Sequence, residues 1–215
     1  MVNSNNRLTD LINRFDKSYI WNKNKFKSFY YGKLYQARCS QIGKGFTLGE
    51  PIGRPHIPGA GQVEIGDDVT IYGPIELISY TNAQIKIGAR TSFGVNCTIN
   101  SRQSVKIGSD CLIALSVLIY DHNGHPLDPD KRIKHMSVSN NEIKPVTIGN
   151  NVWIGGFAHI QPGVIVGDNS IVAAHSVVTK NVPANTIVIG SPARVCYWLD
   201  RKSPETGEML TGSPV

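Results

Sequence analysis

From Ile148 onward, every sixth residue is a branched aliphatic: Ile148, Ile154, Ile160, Val166, Val172 and Val178. Each is followed four positions later by a small or β-branched residue, namely Val152, Ala158, Val164, Ser170, Ser176 and Val182. With 40% apolar residues in the chain, six consecutive apolar hits at a fixed step have a chance of about 0.004. An α-helix needs a spacing of about 3.6 and a half-buried hairpin strand a spacing of two, so neither produces this pattern. The same phase returns upstream at Ile65, Ile71 and Leu77, at Ile87, Phe93 and Ile99, and at Ile107, Ile113 and Ile119. Gly often follows the key position directly, as at Gly66, Gly88, Gly108, Gly149 and Gly167. So much Gly and β-branching is unfavourable in a helix.

Period six fits a solenoid in which the chain alternates a short strand with a turn. Three hexads complete one coil, and successive coils stack about 4.8 Å apart with their strands paired in parallel. The expected fold class is therefore all-β, a parallel β-helix whose core is a stacked ladder of Ile and Val. At 215 residues the chain is sized for one such domain. The repeat divides it into a basic, aromatic N-terminal segment at 1–55, helical or irregular, a solenoid at 56–198 and a C-terminal tail at 199–215. Between Ile119 and Val146 the repeat fails for longer than one coil, which predicts a loop near 120–145 that protrudes from the body.

The net charge of +6 is concentrated at the start of the chain. Arg7, Arg14, Lys17, Lys23, Lys25, Lys27, Lys33 and Arg38 face only Asp10 and Asp16 before residue 41, which equals the whole excess. Phe15, Tyr19, Trp21, Phe26, Phe29, Tyr30, Tyr31 and Tyr35 interleave with them. Such a stretch either packs its aromatics on the main body, or touches an anionic partner, namely a membrane surface such as the inner face or a polyanion; nucleic acid is not an expected partner. No run of eighteen apolar residues occurs, and MVNSNNRLTD lacks the charged-then-apolar order of a secretion signal, so a cytoplasmic location is expected. Cys39, Cys97, Cys111 and Cys196 lie far apart without a CxxC pair, which predicts reduced thiols and neither a zinc knuckle nor a disulfide framework.

The stretch VTIGNNVWIGGFAHIQPGVIVGDNSIVAAHSVVTKNVPANTIVIGSPARV resembles the C-terminal half of the hexapeptide-repeat acyltransferases, in the branch of maltose, galactoside and nodulation-sugar O-acetyltransferases. The resemblance covers roughly residues 60 to 198. It implies a left-handed β-helix assembled as a homotrimer, an active site between neighbouring subunits, acetyl-CoA as co-substrate, no metal, and a carbohydrate acceptor.

The same resemblance assigns roles to residues. In the interrupting loop, GHPLDPDKR matches the His-Pro...Arg pattern that carries the catalytic histidine, here His125, with Arg132 on the acceptor side. A sugar hydroxyl attacks a thioester poorly until its proton is removed, and an imidazole with a pKa of about 6.5 is suited to remove it near neutrality. His122 is the competing base, and Asp121 can orient either ring. His56, His135, His159 and His175 are weaker candidates. Lys180 and Arg194 match positions near the nucleotide end of coenzyme A, where cations neutralise its phosphates. Gly155, Gly156, Ala173 and Ala174 leave room for an extended pantetheine arm. Trp153 either walls that groove or packs between subunits. Asn96 matches one of two asparagines near the acceptor. Gly94 replaces the other, and Gly156 stands where relatives often have Ser.

The expected activity is acetyl-CoA-dependent O-acetylation of a sugar or surface-polysaccharide precursor. The alternatives are N-acetylation of a nucleotide-linked amino sugar, O-acetylation of an antibiotic, a metal-dependent hydratase similar to the γ-type carbonic anhydrases, and a non-catalytic scaffold.

Overall fold

The computed structural model describes residues 22–199. After a helix over residues 22–38, α1, the chain winds through three parallel sheets that form the sides of a solenoid. The first side stacks six strands: β1 (Gln41–Ile42), β3 (Gln62–Ile65), β6 (Gln84–Ile87), β9 (Ser104–Ile107), β12 (Val146–Ile148) and β15 (Ile165–Val166). The second stacks β2 (Thr47–Ile52), β4 (Thr70–Gly73), β7 (Ser92–Phe93), β10 (Leu112–Ile113), β13 (Trp153–Ile154), β16 (Ile171–Val172) and β18 (Thr186–Gly190). The third contains β5 (Ile75–Ser79), β8 (Cys97–Ser101), β11 (Leu118–Tyr120), β14 (His159–Ile160) and β17 (Val177–Val178). The last strand, β19 (Ala193–Trp198), pairs antiparallel with β18 and ends the second sheet. A three-sided parallel coil is the architecture expected of a left-handed β-helix.

Register follows the hexad. Ile107 pairs with Ile148 and Ile148 with Val166, Ile113 with Ile154 and Ile154 with Val172, and Ile119 with Ile160 and Ile160 with Val178. All of these side chains are buried, as are the residues four positions after each one from Ile148 to Val178. Each coil thus removes one aliphatic per side from water, and stacking makes these into a continuous core.

The corners explain the remaining composition. Between the first and second sides the chain passes through the left-handed region at Asp68, Arg90, Asp110, Asn151, Asn169 and Asn185. Asn and Asp tolerate that conformation better than other residues with a Cβ. Here they also form a ladder: Asn151 Nδ2 donates to Asn169 Oδ1 at 2.9 Å and Asn169 Nδ2 to Asn185 Oδ1 at 3.0 Å. Between the second and third sides the same conformation recurs at Asn96, Ser116, Phe157 and His175. The Phe157 and His175 rings stack with centroids 4.9 Å apart. Between the third and first sides, one of the corners is replaced by the long loop 121–145.

β1 and β2 lie within residues 1–55, yet they already pair with β3 and β4. Ile42 and Leu48 stand six apart and carry the hexad phase, but GEPIGRPHIPGAG separates them from Ile65. On α1, Tyr35 is buried with its ring 5.0 Å from that of Phe46, whereas Phe26, Phe29 and Tyr30 point outward and are exposed. The four cysteines are free thiols, and burial pushes Cys97 up to about 11. Arg7, Asp10, Arg14, Phe15, Asp16, Lys17, Tyr19, Trp21 and the tail from Asp200 lie outside the described residues.

Candidate active site

β11 runs directly into Asp121 and His122, and this point anchors the long loop. Both residues are buried. The Asp121 carboxylate accepts from the Ser101 hydroxyl at 2.9 Å and from the backbone N–H groups of Arg102, Gln103 and Ser104 at 2.9, 2.8 and 2.8 Å. Its Oδ1 also lies 2.9 Å from His122 Nδ1. Burial alone would push the Asp121 carboxyl up. The hydrogen bonds from His122, from the backbone and from Ser101 outweigh it and hold the group below the usual carboxylate range. His122 is thereby fixed at one nitrogen, with its ring 6.4 Å from Tyr120 and edge-on to Tyr80 at 6.0 Å. Among the described residues its Nε2 makes no hydrogen bond.

His125 lies three residues on and is exposed. The loop that carries it is braced. Glu142 accepts from the Leu127 N–H at 2.8 Å and the Ser139 N–H at 3.0 Å, and these bonds hold its carboxyl below the usual range. Asp128 caps the short helix α2 (Pro129–Ile133), accepting from the N–H groups of Asp130 and Lys131. Arg132, expected on the acceptor side, turns back and donates to the carbonyl oxygens of Pro126 and Leu127. It holds the turn that follows His125. At the far end, the Lys144 N–H donates to the Asp121 carbonyl at 2.8 Å, so the loop closes on the residue at which it opens.

The outer face of the third side continues this surface. Glu76, Thr98 and Leu118 lie in register, as do Ile78, Asn100 and Tyr120. Burial and then the Glu76 charge push the Tyr120 phenol up. Asn96, at the corner before β8, lines a cavity of about 280 Å³ together with Arg54, His56, Glu76 and Thr98. The Asn100 Oδ1 and Arg102 Nε atoms are buried without a partner among the described residues, and Arg102 also lies over the Tyr80 ring at 4.3 Å. Tyr80, Asn100, Arg102 and Tyr120 are surface-forming residues that the hexad pattern does not single out. Their only sequence signal is a polar or aromatic side chain on an outward strand position (Asn100, Tyr120) or directly after a strand (Tyr80, Arg102).

The residues expected on the donor side are spread over two sides and their corner. Trp153 is exposed on the second side, aligned with Leu112 and Ile171. Gly155 is buried, and a Cβ there would meet the Ala174 nitrogen of the next coil at 2.5 Å, so the close approach of the coils accounts for this glycine. Gly156 and Ala173 are half-buried and Ala174 exposed, at the corner bearing the Phe157–His175 stack. Lys180 is exposed just after β17, and Arg194, also exposed, lies on β19 with its Nη1 donating to the Ala193 carbonyl at 2.8 Å. His159 is half-buried, its ring 5.4 Å from Tyr120, and burial pushes its imidazole down. His175 and His135 are exposed. No group of three or more His, Cys, Asp or Glu side chains among the described residues could hold a metal ion.

Residues 145–180 match the bacterial transferase hexapeptide model of six repeats, and residues 84–119 match the hexapeptide repeat of succinyl-transferase. Nodulation protein L of Rhizobium meliloti (strain 1021) is 40% identical over 150 residues, which cover 69% of this chain and 78% of that protein. The chain belongs to the hexapeptide-repeat acetyltransferase family. Galactoside O-acetyltransferase of Escherichia coli (strain K12) is 39% identical over 133 residues, and the match spans 61% of each protein. A crystal structure of a hexapeptide-repeat acetyltransferase from Vibrio cholerae O1 biovar eltor, complexed with acetyl coenzyme A, superposes with a TM-score of 0.55. It is 28% identical and covers 79% of this chain and 76% of its own. Within this family the interrupted coil at 121–145 is where the present chain concentrates its buried charge and its histidines.

Proposed function

We propose that the protein transfers an acetyl group from acetyl-CoA to a hydroxyl of a sugar or polysaccharide precursor, as a homotrimer, with His125 as general base. The observation that carries this reading is the placement of His125: exposed on a braced loop, three residues beyond the buried Asp121–His122 pair. The relatives add weight, one being named a galactoside O-acetyltransferase and one having acetyl coenzyme A bound.

In the reaction the acceptor oxygen forms a bond to the thioester carbonyl carbon while its proton passes to the imidazole. The carbon–sulfur bond then breaks, and the proton is delivered to the departing thiolate, so the products are the acetyl ester and free coenzyme A. Lys180 and Arg194 would neutralise phosphates of the donor, while Gly156, Ala173 and Ala174 keep the corner low enough for its arm. Gly155 supports that corner from within the stack, and Trp153 stands on the adjoining face. Asn96 would contact the acceptor, and Arg132 would set the His125 turn. In an acceptor screen with acetyl-CoA, free thiol is expected only in the presence of a sugar hydroxyl, together with an acetylated sugar in the mass spectrum. Thiol release with an amino sugar alone would move the chemistry to nitrogen, and release with no acceptor would sink the transferase reading.

A second assignment has its own support. His122, not His125, is the imidazole with an oriented nitrogen, 2.9 Å from Asp121, and a base held in one tautomer by a carboxylate is a recurrent catalytic arrangement. Under that assignment His125 contacts the acceptor, and His122→Ala becomes the more damaging change.

A cytoplasmic location with peripheral attachment at the inner membrane surface is part of this proposal, and the N-terminal helix supports the attachment. Phe26, Phe29, Tyr30 and Lys33 follow i, i+3, i+4, i+7 spacing, and the three aromatics are exposed. This apolar stripe therefore faces away from the solenoid, and Lys23, Lys25 and Lys27 accompany it. No helix among the described residues is long and apolar enough to cross a membrane. Phosphatidylglycerol vesicles are expected to sediment the protein and phosphatidylcholine vesicles are not, with binding lost in the triple variant Phe26→Ala/Phe29→Ala/Tyr30→Ala. Equal sedimentation by both vesicle types would refute an electrostatic surface role.

A further inference from the structure

The segment Arg54–Pro58 takes no part in the donor site or the His125 loop, yet it is held tightly. The His56 N–H donates to the Ile75 carbonyl at 3.0 Å and the Leu77 N–H to the His56 carbonyl at 2.9 Å, so residue 56 adds a bridge to the free edge of β5. As in a strand, alternate residues turn in and out: Pro55 and Ile57 are buried, while Arg54 and His56 are exposed. The His56 Nδ1 lies 3.2 Å from Glu76 Oε1, and the Thr98 hydroxyl donates to Glu76 Oε2 at 3.2 Å.

Arg54 and His56 thereby stand between two cavities. One is the cavity that also holds Asn96, Thr98 and Glu76. The other, of about 220 Å³, lies toward α1 and is lined by Leu34, Arg38, Arg54, Pro55, His56, Ile57 and Pro58. Among the described residues no acidic side chain lines this second cavity. Neither Arg38 nor Arg54 has an acidic partner among the described residues. Two guanidinium groups lining one concave surface suit anionic oxygens, because each offers a planar fork of donors at full charge.

We infer that Arg38 and Arg54, with His56 beside them, bind a phosphate or carboxylate group of the acceptor, whose hydroxyls lie in the adjoining cavity of Glu76, Asn96 and Thr98. The acceptor is then an acidic carbohydrate. Phosphate and carboxylate share the chemistry the arginines recognise. The identification of that anion as part of an acceptor rests on the acetyltransferase reading; the existence of the anion site does not.

The test is direct binding to the full chain, by calorimetry at low salt, of glucose 1-phosphate, glucuronate and glucose. At least one of the two acidic sugars is expected to bind about tenfold or more tightly than glucose. The double variant Arg38→Ala/Arg54→Ala is expected to lose that preference while binding acetyl-CoA as the wild type does. A preference for glucose 1-phosphate identifies the anion as a phosphate, and a preference for glucuronate as a carboxylate. Failure of both acidic sugars to bind more tightly than glucose, or an undiminished preference in the variant, overturns the site. Because the readout is binding, failure of every sugar to become acetylated would refute the transferase reading and leave the anion site standing.

Discussion

Replacing His125 by Ala is expected to lower kcat by about 10²- to 10⁴-fold while the affinity for acetyl-CoA stays essentially unchanged. The size of the effect follows from the acceptor. A sugar hydroxyl is not ionised near neutrality, so without a base the attack on the thioester must develop a protonated ether oxygen, and the barrier rises accordingly. The donor contacts are assigned elsewhere, to Lys180, Arg194 and the corner at 173–174, so KM for acetyl-CoA has no reason to move. His125 is exposed and belongs to no buried cluster, so the thermal midpoint should also stay in place, which separates loss of chemistry from loss of fold. The measurement is steady-state kinetics with a responsive acceptor, beside His122→Ala as comparator. If His122→Ala abolishes turnover and His125→Ala leaves it intact, the base is the imidazole held by Asp121.

The second large effect concerns stability. Asp121→Ala removes the shared acceptor of one hydroxyl, three backbone N–H groups and the His122 imidazole. Ser101 and Ser104 are buried, so water cannot readily replace the carboxylate. A loss of about 3–5 kcal/mol is expected, which lowers the thermal midpoint by on the order of 10 °C for a domain of this size. Activity should fall with it, because the same residue fixes the start of the loop that carries His125.

The pH dependence has a definite sign. The Asp121 carboxyl is depressed in the folded state. Its contribution is therefore fully present above the unfolded value of about 3.9 and is lost as pH falls through the lower folded value. Acid unfolding of the wild type should show this loss, and Asp121→Ala should flatten it.

The hexad makes the body of the fold legible in the sequence: a spacing of six with Gly after the aliphatic admits few chain paths other than a three-sided coil, and Ile148, Ile154 and Ile160 are buried in consecutive strands. The first coil is harder to read because Ile42 and Leu48 are only two hits, cut off from the rest by a run rich in Gly and Pro. The loop is visible as a failure of period, but its internal bracing is not. That Arg132 folds onto Pro126 and Leu127, or that Glu142 reaches back to Leu127, depends on chain reversals that leave no periodic trace. Gly155 carries an ambiguous signal, since a small residue suits both a ligand groove and close stacking of coils, and the 2.5 Å approach of the Ala174 nitrogen accounts for the latter. Arg54 and His56 are hidden for a related reason: a single extended segment stitched to the edge of β5 has no repeat to reveal it.

The proposed chemistry requires an imidazole of the interrupted coil to work on a thioester lying along the outside of the solenoid. A crystal structure of the full chain with coenzyme A would show whether the two meet. The coenzyme A sulfur is expected within about 4 Å of the His125 or His122 ring, close to the separation of reacting groups poised for attack, with the nucleotide end toward Lys180 or Arg194. Coenzyme A bound with its sulfur far from both rings, in every copy of the protein in the crystal, would contradict this.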